Sequence, residues 1–292
     1  MNDVDDMLRQ LYQQRASNPN TLGILMMEKR RRVSPETDNF DYILLVIVQA
    51  ATDKWAVEHY LINEKLVAVH IVDKELLTQW IRTSRYRRAS EWMINGKVLF
   101  DRNEYVKNLK ERLRLFPMDT RKLRLAIEFS KITRSYSEAK NLYETGDYLD
   151  AYSAVVQSLH YLGRIAVIEK GFFPEVVVWN QVKRIDPEVY KIYEELLRNT
   201  EELKKRVELM LIALDFALNE RTEVCSQHLI EIMSERKEPW LFAELKTEKR
   251  IEPYMYDLVS MLEYLTEKSL VKVVEEATDY EVILARKYSV IE

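Results

Sequence analysis

The chain has 292 residues, of which 47% are hydrophobic and 32% are charged, and its formal net charge is −4 at pH 7. This composition is typical of a folded globular protein with two or three domains. The small negative charge excludes a general attraction to nucleic acid or anionic lipid, so any such binding must come from local patches. No run approaches the roughly 18 apolar residues of a membrane helix. A single cysteine, Cys225, excludes an internal disulfide, and we expect a cytoplasmic protein without a membrane partner.

The first 117 residues mix helix and strand patterns. Val4 to Gln14 carries apolar residues at helical spacing, and we interpret the short run that Gly23 opens as a second, amphipathic helix. The β-branched run Tyr42 to Val48 predicts a buried strand. The remaining predicted elements are a hairpin of Lys54 to Ile62 and Lys65 to Val72, a helix over Lys74 to Thr83, a strand over Gly96 to Phe100 and a helix over Asn103 to Leu115.

Two acidic residues, Asp38 and Asp41, lie where the preceding loop enters the predicted strand Tyr42 to Val48. Carboxylates at i and i+2 of a strand share a face and can converge on metal ions. The arrangement resembles the polymerase-beta-like nucleotidyltransferase superfamily, in which a glycine-serine turn at a helix start holds nucleotide phosphates and a carboxylate pair opens the next strand. The resemblance implies that Gly23, Ile24 and the following amides hold phosphates. It also implies that Asp38 and Asp41 bind Mg²⁺ if the enzyme is active; otherwise no cofactor is expected.

The sequence departs from this family pattern. Asn39 falls at the first carboxylate position, and Ile24 replaces the serine. An amide oxygen is a weak ligand for Mg²⁺, and Asp38 could substitute only if a bulge marks the strand entrance. The next strand offers His70 and no carboxylate before Asp73. We therefore expect a degenerate two-metal site.

Two basic clusters concentrate the slight positive excess of this region, 19 Lys and Arg against 16 Asp and Glu. Both clusters could hold a polyanion, nucleotide or RNA, through phosphate contacts, or could be solvated surface. In the family's geometry the first cluster would flank the phosphate site. The clusters are Lys29, Arg30, Arg31 and Arg32, and Arg82, Arg85, Arg87 and Arg88.

Helical patterns dominate residues 118–236. Lys122 to Glu144 and Tyr148 to Lys170 flank a glycine-aspartate turn, and Pro187 begins a further helix after a looser segment. An antiparallel helical bundle is the expected architecture, and it resembles the HEPN-type bundles that serve as substrate-binding partners of nucleotidyltransferase domains. Arg221 and His228 match the spacing of HEPN ribonucleases at its upper limit, but a surface arginine and a packed or capping histidine are the favoured interpretation.

Residues 237–292 predict a small third domain. Two helical segments, the second ending at Lys268, precede alternating strands on either side of a polar turn near Ala277 to Asp279. This pattern resembles a winged helix-turn-helix, with Tyr254 to Lys268 as the recognition helix. The segment holds 8 Lys and Arg against 12 Asp and Glu. DNA binding depends on phosphate neutralisation, so this acidic domain is better suited to a protein partner or a homodimer contact.

We therefore predict an α+β multidomain protein: a nucleotidyltransferase-like mixed-sheet domain (1–117), a helical bundle (118–236) and a winged-helix-like domain (237–292). The order of these domains resembles nucleotidyltransferase-like proteins of Bacillus and its relatives. The favoured function is binding of a nucleotide or nucleic-acid-type ligand between the first two domains. The alternatives are an active magnesium-dependent nucleotidyltransferase that modifies a small molecule, RNA or protein, and a transcription-related regulator that acts through its tail.

Overall fold

The computed structural model describes residues 3–278 and 282–291, with side chains from Leu8 onward. The chain divides into two compact units. The first comprises Met1–Pro117 and the short segment Phe173–Val177, and the second comprises Met118–Phe172 and Val178–Glu292. Phe173 belongs to the first unit because its ring stacks on that of Phe116, with centroids 4.1 Å apart.

A mixed sheet forms the centre of the first unit, as the sequence predicts, but it has five strands where four were predicted. Its spatial order is β3-β4-β2-β1-β5. The central pair β2 and β4 is parallel, and the other three pairs are antiparallel. The strands are β1 (Thr21–Glu28), β2 (Tyr42–Val48), β3 (Trp55–Ile62), β4 (Lys65–Asp73) and β5 (Lys97–Asp101).

Helices cover both faces of this sheet. Leu8 of α1 packs on the face formed by Ile24, Leu44 and Val69. Side chains of α2, α3 and α4 pack on the opposite face. Every residue of β2 is buried, because a central strand covered on both faces has no solvent side. The helices are α1 (Asp3–Ser17), α2 (Lys74–Thr83), α3 (Arg87–Asn95) and α4 (Tyr105–Leu115).

The predicted helix beginning at Gly23 is wrong, because this run is β1. Ile24 to Met27 are all buried, since β1 lies between β2 and β5 and has side chains packed on both of its faces. A strand covered on both faces has a continuous apolar run without alternation, which periodicity cannot distinguish from a short buried helix. Helix α3, which buries Ala89, Trp92 and Met93 at helical spacing, was not predicted from the sequence.

The predicted hairpin is confirmed. Asn63 and Glu64 connect β3 to β4 and both have positive φ, 46° and 64°. This backbone conformation matches the right-handed twist of the strands in a two-residue turn. The hairpin pairs Ile62 with Lys65 and continues to Trp55 opposite Val72.

The second unit begins with long helices. Gly146 (φ 88°) separates α5 from α6, and both helices pack against α9. We predicted one helix from Pro187 onward, but residues 199–202 divide it into two helices. The segment before Pro187, which we expected to be looser, contains a further helix. The helices are α5 (Met118–Thr145), α6 (Tyr148–Glu169), α7 (Val178–Ile185), α8 (Pro187–Arg198) and α9 (Leu203–Met233).

The chain ends in a helix-turn-helix region with a strand ribbon, as predicted. Its three-stranded sheet has the order β6-β8-β7. The predicted turn reaches Asp279, and the predicted last strand starts at Tyr280; both residues lie outside the described part. The elements are β6 (Trp240–Leu241), α10 (Phe242–Thr247), α11 (Leu258–Glu267), β7 (Val271–Ala277) and β8 (Leu284–Val290). None of the helices in the described ranges has the length and apolar character that crossing a bilayer requires.

Candidate functional site

The loop from Lys29 to Asp41 connects β1 to β2 and carries both predicted metal ligands and the first basic cluster. Asp38 and Asn39 adopt left-handed backbone angles, φ 50° and 66°, which Asp and Asn tolerate better than most residues. The Asn39 side-chain oxygen accepts a hydrogen bond from the Ser34 amide at 2.9 Å. The Lys29 ammonium donates to the Asn39 carbonyl at 3.0 Å. Asn39 therefore stabilises the conformation of the loop, and it lies before β2 and not within it.

Helix α3 holds the middle of this loop. The Trp92 indole N–H donates to the Glu36 carbonyl at 2.8 Å, and Arg88 Nε donates to the Pro35 carbonyl at 2.8 Å. The Arg88 guanidinium also forms an ion pair with the Asp38 carboxylate. Asp38 is thus bound to α3, and its carboxylate already has a cationic partner.

Asp41 is held by the β3–β4 hairpin. Its Oδ2 accepts a hydrogen bond from the Leu66 amide at 2.9 Å, and its Oδ1 lies 3.8 Å from the Lys65 ammonium. Its own amide donates to the Leu66 carbonyl at 2.8 Å. Asp41 therefore closes the β2–β4 pairing at its entrance, which explains an acidic residue there without a metal.

The entrance of β2 carries no bulge. Tyr42 pairs with Glu28 on one side and Val67 on the other, and the register continues without a shift into β2. Asp38 is therefore not brought onto the strand. Among residues 3–278 and 282–291, no group of three or more His, Cys, Asp or Glu side chains could hold a metal ion. A metal-binding role for Asp38 and Asp41 stays a prediction.

Gly23 and Ile24 lie inside β1 and offer no helix N-terminus to a phosphate. Ile24 is fully buried. A Cβ at Gly23 would lie 2.1 Å from Cγ2 of Val106 on α4. Close packing between β1 and α4 therefore accounts for the glycine, and the geometric basis of the predicted phosphate turn is absent.

Each basic cluster has three exposed members and one member that is bonded to the loop between β1 and β2. In the first, Arg30, Arg31 and Arg32 are exposed, whereas the Lys29 ammonium is bonded within the loop. In the second, Arg88 is turned to Asp38. The exposed members of the second cluster are Arg82, Arg85 and Arg87.

An aromatic cluster around His70 was not identified from the sequence as one site. His70 Nδ1 accepts a hydrogen bond from the Trp55 indole at 3.2 Å, and its ring lies 4.6 Å from that of Trp92. Tyr86 contacts both tryptophans. Burial lowers the pKa of His70 to about 4, so it is neutral at pH 7. His70 itself is buried. The six-residue spacing of Trp80, Tyr86 and Trp92 in the sequence was the available signal for three of the other aromatic residues in this cluster.

In the second unit, Arg221 and His228 each contact other residues of the protein. Arg221 Nε donates to Glu169 at 3.0 Å and its Nη2 lies 3.5 Å from Asp186. Burial raises the pKa of Glu169, and Arg221 opposes that rise. His228 Nδ1 is 2.9 Å from the Tyr254 hydroxyl. The contact of His228 agrees with a packed histidine. Arg221 was expected at the surface, but it keeps only 16% of its side chain exposed and is paired with carboxylates.

Fold and sequence comparisons define the class of protein. Residues 4–121 match the family described as "Nucleotidyltransferase-like", residues 122–221 the "YgxA-like substrate binding domain", and residues 227–290 a "Helix-turn-helix domain". The molecule is therefore a nucleotidyltransferase-like protein with a substrate-binding and a helix-turn-helix domain. These matches confirm the predicted order of domains along the chain.

Whole-chain relatives identify the family. Protein YgxA of Bacillus subtilis (strain 168) is 44% identical over 286 residues, which is 98% of this chain and 97% of that protein. The crystal structure of a nucleotidyltransferase-like protein from Exiguobacterium sibiricum 255-15 matches with a TM-score of 0.82 and 37% identity, covering 99% of this chain and all of that one. The chain belongs to the YgxA family of nucleotidyltransferase-like proteins.

Proposed function

We propose that this protein binds a nucleotide-type ligand through its N-terminal domain and does not catalyse nucleotidyl transfer. One observation carries the proposal: the two predicted metal ligands, Asp38 and Asp41, are already bonded to Arg88 and to the β3–β4 hairpin. With Asn39 committed to the loop, this donor set does not fit the two Mg²⁺ ions that such an enzyme uses. The reducing cytoplasm, inferred from a lone cysteine, is the proposed location.

The exposed arginines of the first loop support the choice of ligand. Arg31 and Arg32 belong to a run of adjacent basic residues beside the β2 entrance. A guanidinium group can donate two hydrogen bonds to the oxygens of a phosphate in a bidentate geometry, and this contact does not need a metal ion. A phosphate-bearing ligand is therefore expected to bind at this loop without Mg²⁺.

Calorimetric titration of the full chain with ATP, in EDTA and in Mg²⁺, tests this proposal. The affinity is expected to be the same within twofold in both buffers and in Asp41→Ala. The double variant Arg31→Ser/Arg32→Ser should weaken binding at least tenfold. Its matched control, Arg112→Ser/Arg114→Ser, removes two exposed arginines from the last turn of α4 and should leave the affinity unchanged.

The alternative of an active enzyme makes the opposite prediction. ATP binding that requires Mg²⁺, is lost in Asp41→Ala and is accompanied by pyrophosphate release would establish catalysis and refute the proposal. Binding that is unchanged in Arg31→Ser/Arg32→Ser would remove the loop as the ligand site.

The tail suits a protein contact better than DNA, which argues against direct transcriptional control. Glu263 and Glu267 are exposed on α11, where a recognition helix would face phosphates. Asp257, which precedes α11, pairs with Arg134 of α5 at 2.6 Å. A protein partner or a second copy of the chain is therefore the proposed target of this domain.

A further inference from the structure

The helical domain buries a charged cluster between α5 and α6. Arg124, Glu128 and Lys131 follow one face of α5, at spacings of four and three residues, and Arg164 lies on α6. The exposed fractions of Arg124, Glu128 and Arg164 are 2%, 4% and 8%. Charged side chains are buried to this extent only where they are paired or bind a ligand.

Two cations of this cluster share one carboxylate. Arg164 Nη1 donates to Glu128 Oε2 at 3.2 Å, and the Lys131 ammonium lies 3.7 Å from Glu128 Oε1. Within the described ranges, Glu128 is the one carboxylate at ion-pair distance from either cation. In addition, Arg164 Nε is buried and donates to no acceptor. A buried donor left without an acceptor costs free energy.

Tyr161 lies beside both cations. Its ring centroid is 5.9 Å from the Lys131 ammonium and 5.4 Å from the guanidinium carbon of Arg164. The ring therefore orients the two cations and shields one side of them from water. Lys131 keeps 31% of its side chain exposed, so the cluster can be reached from solvent at that residue.

We propose that Lys131, Arg164 and Tyr161 form a binding site for a phosphate group in the helical domain. A phosphate has enough oxygen acceptors to take hydrogen bonds from a guanidinium fork and an ammonium together. The negative charge of the phosphate would balance the positive charges of Lys131 and Arg164, which both pair with Glu128. The site consists of residues of α5 and α6 alone, so it is separate from the arginine loop of the N-terminal domain.

Calorimetric titration of the full chain with inorganic pyrophosphate, at an ionic strength held constant with NaCl, tests this site. Lys131→Met should weaken binding at least tenfold. Lys140→Met is the matched control, because Lys140 lies on the same helix and its ammonium is 5.6 Å from the ring of Tyr136. That control should bind pyrophosphate as the wild type does.

A second variant separates ligand binding from folding. Arg164→Lys keeps the positive charge and removes the guanidinium fork, so it should weaken pyrophosphate at least threefold while the circular dichroism spectrum stays unchanged. If pyrophosphate does not bind the wild type, or binds Lys131→Met with wild-type affinity, the cluster is a structural ion pair only and the inference is wrong. Loss of affinity in Arg31→Ser/Arg32→Ser with none in Lys131→Met would overturn this site and leave the N-terminal one in place.

Discussion

At the scale of single residues, three polar side chains of the loop before β2, which the family resemblance places at a metal site, are bonded to other residues of the domain. Asn39 bonds to the Ser34 amide, and Asp41 bonds to the Leu66 amide. Asp38 is paired with Arg88, which is 50 residues away in the chain. Sequence spacing could not indicate these partners, because two of the three lie on elements that meet the loop only in the folded domain.

His70 gives a prediction on pH dependence. Its burial lowers its pKa to about 4; the nearby Asp38 opposes this shift, whereas His59 and Arg88 add to it. The unfolded state therefore binds the proton more readily, at its ordinary pKa near 6.5. Full stability is expected above pH 6.5, and on the order of 2–3 kcal/mol should be lost as the pH falls to 4.

The variant His70→Asn isolates this contribution. Asn places an oxygen acceptor near the position of Nδ1, where Trp55 donates its indole N–H, and it does not titrate. Urea unfolding at pH 7 and pH 4.5 should therefore show a smaller loss of stability in the variant than in the wild type. Equal losses in the two proteins would show that His70 does not carry the pH dependence.

At the scale of elements, β1 and α4 depend on each other. Gly23 is buried within β1, and the only space for a Cβ is already filled by Val106. Val106 is itself fully buried and β-branched, so it cannot easily rotate away. The contact explains why a glycine occurs in a strand, where it is otherwise unfavourable.

We predict that Gly23→Ala destabilises the protein by about 1–3 kcal/mol through overpacking. Urea unfolding followed by tryptophan fluorescence provides the measurement. In the double variant Gly23→Ala/Val106→Ala, part of the loss should be recovered relative to the sum of the single variants, because the two residues are in contact. Simple additivity would show that the strain lies elsewhere.

At the scale of the whole molecule, three domain types follow one another along a chain that forms two compact units. The helix-turn-helix region belongs to the same unit as the helical bundle, and Asp257 and His228 contribute contacts inside that unit. Helix α11 buries Leu258, Met261 and Leu265. The exposed charged residues of α11 are therefore the part of this helix that is available to contact a partner.

We predict that α11 gives the wild-type protein no salt-dependent binding to DNA. In a gel-shift series with a short duplex at increasing NaCl, an acidic surface releases no phosphate counterions, so no affinity is gained at low salt. The double variant Glu263→Lys/Glu267→Lys reverses the charge of the exposed side of α11 and should acquire weak, salt-sensitive binding. Wild-type binding that falls steeply with salt would contradict this prediction and favour a DNA-binding role.

The sequence by itself determined most helix and strand segments, because hydrophobic periodicity and turn residues act locally. It determined the hairpin at Asn63 for the same reason. The order of domains, the mixed sheet and the helix-turn-helix followed from the resemblance of the sequence to a known family. Only the tertiary structure decided that Gly23 lies in a strand and that Asp38 and Asp41 are bonded to separate elements. It also decided that Lys131 and Arg164 share one carboxylate. These outcomes depend on which elements pack together. Packing brings together residues that are far apart in the chain, and their spacing in the sequence does not indicate that they are in contact.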